Sequence, residues 1–428
     1  MDTEAATVIT VLPSAWPSMN IMLVFGTLLA FGTLGGLLAA RLRWLPTITG
    51  FMALGLIIGP TGLGLLSQEA LDGARVLVDI ALGLILFKLG AALHPWRALQ
   101  NPALVVTSLL ESSLTFVAIF GLAIWIGSPP VVAVLAAAIS VSSSPAVLMH
   151  VAHELHAAGP TVDAAESLVA MNNVLAFVLF SLALPFALAD SKVSLLTAML
   201  LPVYQMIGAI AVSVAAAWLI TRIAWLTRSE EIHFRFALVV GGVMLSLGLA
   251  EAFQVSSLFA ALTLGIACRW LQGESRLTRV EFGGGGDVFF IILFVFAGAN
   301  LHLHDMVTYA PVALACVLAR TLAKTTSVYG CGLIFGYTHR QSVAAGLLLV
   351  PMAGLAIGLA QTTSSLMPEL GAQVSALVLA AVAVFETFGP PIAAFALRLS
   401  GDAGRAVAQP ELSPDPPAVA ADSAAPHR

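Results

Sequence analysis

Apolar stretches of about 20 residues, each long enough to cross a hydrocarbon core as a helix, recur along almost the whole of this chain. Roughly 13 of them stand between polar, Pro or Gly punctuation, near 18–40, 46–66, 74–93, 102–126, 130–150, 163–189, 194–222, 234–254, 256–271, 285–300, 307–335, 341–365 and 372–398. That pattern predicts an all-α polytopic membrane protein, since lipid offers backbone polar groups no partner outside the helix itself. Composition agrees, with 59% of the 428 residues hydrophobic and only 10% charged. A net charge of −5 without a basic block gives nucleic acid no electrostatic footprint. Cys268, Cys316 and Cys331 sit in apolar runs, too few and too far apart for a disulfide framework or zinc site, and read as packing residues. No cofactor or metal is implied.

An odd number of spans puts the termini on opposite sides. Arg41, Arg43, Arg97, Arg222, Arg228, Arg235, Arg269, Arg276, Arg279, Arg340 and Arg398 fall on one side, against Arg75 and Lys192 on the other. The positive-inside rule then predicts an outside N-terminus, with residues 1–17 an extracytoplasmic tail, and a cytoplasmic C-terminus. Asp2 and Glu4 stand where a signal peptide is basic, so the first apolar run is expected to be retained. Residues 399–428, rich in Ala, Pro and Asp, read as a disordered tail.

The two halves resemble each other at an offset of about 208 residues. Asp79 to His94 reads DIALGLILFKLGAALH and Asp287 to His302 reads DVFFIILFVFAGANLH, with Asp, Gly-Ala and Leu-His in register. The same offset lays Ser142 to Pro145 (SSSP) over Pro351 to Gly354 (PMAG). Copies separated by an odd number of spans have opposite orientation, and inverted repeats are a signature of secondary transporters. Fusion of two like bundles is the plainer alternative.

Chemistry is expected where the spans are interrupted. Ser142, Ser143, Ser144 and Pro145 break the fifth span, and Pro351, Met352, Ala353 and Gly354 break the twelfth. Freed backbone groups at that depth are tolerated only beside protein or a cavity. Two crossed discontinuous helices aim their dipole ends at one spot and can hold ions there; two plain Pro kinks are the alternative. Asn172 and Asn173, adjacent in the sixth span, suit either cation coordination or interhelical hydrogen bonding. Arg320 and Lys324 lie one turn apart in the eleventh span. Arg320 is expected to form a structural ion pair with Glu251 or Asp287, or to snorkel. Lys324 suits charge compensation or proton carriage, because a buried ammonium can lose its proton. Asp79 and Asp287 read as helix-end residues, and Glu111 and Glu166 are further carboxylates in or near the membrane that could take part. His150, His153 and His156 mark a solvated helix end or a pH sensor. The GGGG run at Gly283 to Gly286 follows no strand, so it reads as a loop and not a nucleotide fingerprint.

The second span, RWLPTITGFMALGLIIGPTGLGLL at Arg43 to Leu66, resembles the P-x-x-x-G-x-x-x-x-G-x-x-x-G-P helix of the monovalent cation/proton antiporter superfamily, in the branch with bacterial sodium/proton exchangers and glutathione-gated potassium efflux systems. The resemblance covers roughly 18–398. It implies a scaffold of 18–97 and 230–303, through which a homodimer forms, and a core of 101–190 and 307–398 that carries the crossed helices and gives alternating access. It also implies that Lys324 is the family's intramembrane basic residue, and that Asn172 and Asn173 take the place of its Asp-Asp or Asn-Asp pair. The second Asp of that pair is the cation- and proton-binding carboxylate, and here it is Asn173.

The expectation is therefore a secondary transporter in the bacterial inner membrane exchanging sodium or potassium for protons, with Asn172, Asn173, Ser142, Ser143 and Ser144 as ion ligands. The alternatives are an uncoupled small-solute transporter and a transport-dead regulatory homologue. An enzyme is not expected, because no nucleophile, metal or paired-carboxylate constellation is visible.

Overall fold

The computed structural model describes residues 20–42, 46–92, 100–188, 195–227, 232–272, 283–301 and 310–405. The expected 1–17 tail and residues 406–428 lie outside them, as do Arg43, Arg97, Lys192, Arg228, Arg276, Arg279 and the side chain of Asp287. The described residues are helical with short connections: α1 (Ile21–Arg41), α2 (Thr47–Ile58), α3 (Gln68–Gly73), α4 (Arg75–Ala92), α5 (Pro102–Trp125), α6 (Pro130–Ser140), α7 (Pro145–Glu154), α8 (Pro160–Leu188), α9 (Leu195–Thr227), α10 (Ile232–Ala252), α11 (Ser257–Gln272), α12 (Gly283–Ala299), α13 (Ala310–Ile334), α14 (His339–Leu348), α15 (Gly354–Leu366) and α16 (Pro368–Ser400). Among the described residues, seven stretches are long and apolar enough to cross a membrane, with α6 and α7 counted as one. Shorter apolar helices at Thr47–Ile58, Ser257–Leu271 and Val288–Ala299 accompany them.

Local chemistry sets the helix starts. Pro102, Pro130, Pro145 and Pro368 occupy first positions, where the missing N–H costs nothing. Asn20, Asn101 and Ser144 cap with their side chains, and Thr338 with Gln341 forms a reciprocal capping box on α14. Two expectations are corrected here. The second span does not continue helically to residue 66, because Gly59 and Pro60 end α2 at Ile58. The Gly283 to Gly286 run is the first turn of α12 and not a loop, its apolar continuation Val288 to Phe296 carrying the helix through weak formers.

The packing follows the repeat. Pairs α2/α12 and α4/α11 are mates at the repeat offset, as are α5/α6 and α13/α14, and α6/α8 and α14/α16; each member packs as its counterpart does, while α5 and α13 pack on each other. Helix α9 stands outside the repeat and packs on α8, α10 and α11. Glycines set the closest approaches. A Cβ at Gly55 would run into the Val295 carbonyl, one at Gly298 into that of Met52, and one at Gly90 into that of Leu262. The α2 motif thus keeps glycines where two helix backbones touch, as membrane helices do when packing rather than water drives association.

The chain does not become irregular at residue 399. Helix α16 runs to Ser400, Gly401 ends it with a left-handed φ of 78°, and residues 401–405 fold back onto α8. Asp402 is fully buried and accepts from Thr161 N at 3.1 Å and Val162 N at 3.3 Å, while Ala158 N donates to the Asp402 carbonyl at 3.1 Å. A carboxylate from the distant end of the chain therefore caps the start of α8.

Candidate functional site: two broken helices and a buried charge cluster

Between α6 and α7 the chain leaves the helix at residues 141–144, and between α14 and α15 at 349–353. The breaks meet: Ser144 N donates to the Pro351 carbonyl at 2.7 Å, and Ser143 Oγ donates to the Leu349 carbonyl at 2.9 Å. Around this crossing Glu111, Asn172, Asn173, Ser142, Ser143, Ser144, Arg320 and Lys324 are all buried. Residues from α5, α8, α13 and the two breaks converge there.

Arg320 does not pair with Glu251, which is exposed at the end of α10. Its Nε donates to the Ser140 carbonyl at 2.8 Å, Nη2 to those of Ser142 at 2.5 Å and Leu349 at 3.3 Å, and Nη1 to that of Val350. These are the orphan carbonyls at the C-terminal ends of α6 and α14, so one planar five-donor fork satisfies both breaks at their negative dipole ends. Phe385 lies 4.8 Å beneath the guanidinium. Snorkelling, the other expectation, is unnecessary once protein acceptors take the charge.

Lys324, one turn further along α13, donates to the Val141 carbonyl at 2.9 Å and forms an ion pair with Glu111, both side chains being fully buried. Ser112 Oγ donates to Glu111 Oε2 at 3.2 Å, and Asn172 Oδ1 accepts from Ser108 Oγ at 3.2 Å and Ser112 Oγ at 3.4 Å. A bonded chain thus runs from the ammonium through the Glu111 carboxylate and the Ser112 hydroxyl to the Asn172 carboxamide.

The expected ligand set divides. Asn172 belongs to this oxygen cluster, whereas Asn173 Oδ1 accepts from Ser143 N at 3.1 Å and braces the first break. The amide nitrogens of both asparagines are buried without an acceptor. Ser142 Oγ donates to the Ile139 carbonyl at 2.8 Å, and Ser144 Oγ caps α7 by accepting from Val147 N at 3.4 Å. With Ser143 bonded to Leu349, all three serines are engaged by the backbone of the breaks, as interruption of a membrane helix demands. Glu111, Ser108 and Ser112 enter the site from α5, where the sequence places a hydroxyl–carboxylate stripe on one helix face at i, i+3 and i+4.

A cavity of about 580 Å³ approaches the second break from one end of the molecule. Its mouth has the exposed residues Gln68, Asp72, Arg75 and Asp79, and its lining reaches buried Ala353 and Glu386. Helix α15 starts there without a side-chain cap, at Ala353 with φ −153° and ψ −131°. At the other end α2 and α7 are bridged: Glu154 accepts from Thr47 N at 3.1 and 3.0 Å and from Thr47 Oγ1 at 2.9 Å, and His150 Nε2 lies 3.0 Å from the same hydroxyl. His150 is therefore a buried residue walled by Phe51, Phe290 and Phe294, while His153 and His156 are exposed.

Comparison with known proteins agrees with this architecture. The structure of the sodium proton antiporter MjNhaP1 from Methanocaldococcus jannaschii at pH 8 is similar with a TM-score of 0.67 and 19% identity, over 90% of this chain and 98% of that one. An electron-microscopy structure of the same antiporter gives a TM-score of 0.67 and 20% identity, over 89% and 96%. No curated protein matches the sequence. The family described as "Sodium/hydrogen exchanger, transmembrane" matches residues 15–397, nearly the whole membrane region. With its paired breaks, its buried lysine and this match, the chain belongs to the sodium/hydrogen exchanger family.

Proposed function

We propose that the protein exchanges a small monovalent cation, sodium or potassium, for a proton by alternating access. The observation that carries this reading is the fully buried Lys324–Glu111 pair amid oxygens of Ser112, Asn172 and Val141. Asn173 has no proton to trade, and the pair supplies both a titrating group and an anion. A cation arriving at Glu111 displaces the ammonium. Lys324 then has no counter-charge in a medium where an isolated cation is costly, and it sheds its proton. The cluster passes from ammonium plus carboxylate to neutral amine plus carboxylate plus bound cation, with one proton released. Its net charge is unchanged, so the exchange is one for one and electroneutral.

Alternating access is supported by the asymmetry of the two ends, one holding a cavity and the other bridged by Thr47, His150 and Glu154. With the positive-inside assignment the cavity faces outward, the N-terminus is outside and the C-terminus cytoplasmic. The working unit in this reading is a homodimer in the bacterial inner membrane, with 18–97 and 230–303 as scaffold and 101–190 and 307–398 as the moving core. A transport-dead regulatory homologue is the second reading, favoured by Arg320 already occupying the carbonyl ends of both breaks.

Dye-reported proton flux in proteoliposomes decides between them. On adding sodium, potassium or lithium, the wild type is expected to release protons at a rate indifferent to an imposed membrane potential. Glu111→Gln and Lys324→Met are each expected to cut that rate at least about tenfold. A wild type silent to all three cations at every pH refutes exchange and leaves the regulatory reading.

A further inference from the structure

Glu386 plays no part in the charge cluster just described. It stands on α16 with 4% of its surface exposed, and among the described residues it makes no hydrogen bond or ion pair. It lines the cavity that runs from Asp72, Arg75 and Asp79 to Ala353 and Gly354. Four and five residues on, Pro390 and Pro391 lie inside the helix. Proline has no N–H, so the carbonyls of Glu386 and Thr387 lose their helical donors. The neighbours of Glu386 tie this turn to the crossing: Phe385 lies under Arg320, and Gly389 admits the Pro351 ring, whose atoms a Cβ there would meet at 3.1 Å.

A carboxylate at this depth without a partner is expensive, and only a proton or a cation relieves it. These are the two species an exchanger moves. We infer that Glu386 is a second ion site, where a proton and a monovalent cation compete and which they reach through this cavity. The ligand choice rests on the exchange reading above. The same cavity is lined by Asn300, Gln361 and Ser375, residues whose side-chain oxygens suit a hard cation; Asn300 Oδ1 accepts from Gln68 Nε2 at 3.1 Å and Ser375 Oγ lies 2.9 Å from Ser364 Oγ, so a cation would take over those contacts. Asp72 and Asp79 at the mouth attract cations, with Arg75 opposing them.

The other charged groups on elements packed against α16 are engaged or remote. Arg320 and Lys324 on α13 are held at the crossing, and Glu154 and His150 on α7 bond Thr47. Asp163 and Glu166 on α8 lie near the Asp402 end of α16, roughly 20 Å along the helix from Glu386. His339 and Arg340 open α14, on exposed surface. None of these groups pairs with Glu386, and the charged residues that share its cavity are Asp72, Arg75 and Asp79 at the mouth.

The test is carbodiimide labelling, since this reagent modifies protonated carboxyls in apolar surroundings. Full-length protein in detergent is treated between about pH 5 and 9 in sodium, potassium, lithium or choline chloride, and the Glu386 adduct is read by peptide mass spectrometry. The coupling cation is expected to lower labelling about tenfold relative to choline, and rising pH to lower it further. Glu386→Gln should abolish this adduct, keep the gel-filtration profile, and raise the cation concentration for half-maximal proton flux about tenfold. No adduct at any pH, an adduct indifferent to every cation, or unchanged cation dependence in a folded Glu386→Gln overturns the site. If Glu386→Gln is misfolded, wild-type protection alone decides. Cation protection without wild-type flux sinks the exchange reading and leaves this site standing; vigorous flux with an unprotected Glu386 does the reverse.

Discussion

Replacing Arg320 by Met tests whether one guanidinium holds the crossing together. Methionine keeps much of the side-chain volume and removes every donor, leaving the carbonyls of Ser140, Ser142, Leu349 and Val350 without that partner in a buried site. A hydrogen bond to a charged donor contributes about 1.5–3 kcal/mol, and the Phe385 contact adds about 1 kcal/mol. Against this stands the cost of burying the guanidinium, several kcal/mol, which the substitution returns. The net loss expected is about 3–5 kcal/mol, the scale of breaking a buried charged arrangement from one side. At a few degrees per kcal/mol, and less in a long chain, this corresponds to a fall in melting temperature of roughly 5–10 °C. Fluorescence-detected thermal denaturation in detergent reads it directly. Arg320→Lys should fall in between, because a compact ammonium cannot span carbonyls from two breaks. A methionine variant that melts within a degree of wild type refutes the claim that the fork braces both breaks.

Asn173→Asp keeps the acceptor for Ser143 N and replaces an amide nitrogen that has no partner, so the variant should fold normally and show pH-dependent sodium or potassium exchange strongly increased over the wild type in proteoliposomes; unchanged flux across the pH range counts against a role for this position in coupling. In a background lacking Cys268, Cys316 and Cys331, Ala353→Cys should react with small water-soluble thiol reagents because it lines the cavity, while Ser143→Cys, bonded inside the crossing, should react far more slowly. Equal labelling of the two would show that the cavity does not end at the second break. Asp402→Ala should lose about 1–2 kcal/mol, the worth of a helix cap with a buried acceptor, measured by the same thermal assay. A melting temperature identical to wild type would mean that residues 401–405 hold α8 by packing alone.

The spans, the two breaks and the repeat were legible in the sequence because each is a local property. Hydropathy over about 20 residues reports on solvent, and Pro with Ser or Gly in mid-span reports on the backbone whatever surrounds it. The α2 glycines were visible as a spacing, and their meaning appeared only when Gly55 met Val295 and Gly298 met Met52. Which buried charge meets which partner was not legible at all. Arg320 was expected beside a carboxylate and instead satisfies four carbonyls from two distant segments; Lys324 finds Glu111 across more than two hundred residues. In the sequence Glu386 is one acid in a long apolar helix, and only the prolines one turn later mark that turn as unusual. Likewise the composition of the tail gave no sign that Asp402 would cap α8. Sequence by itself determined what must be buried and where the helices must stop, since those follow from transfer free energy and backbone geometry. Only the tertiary structure decided how the stranded polar groups are satisfied, because that choice depends on atoms brought together from segments that share no sequence signal.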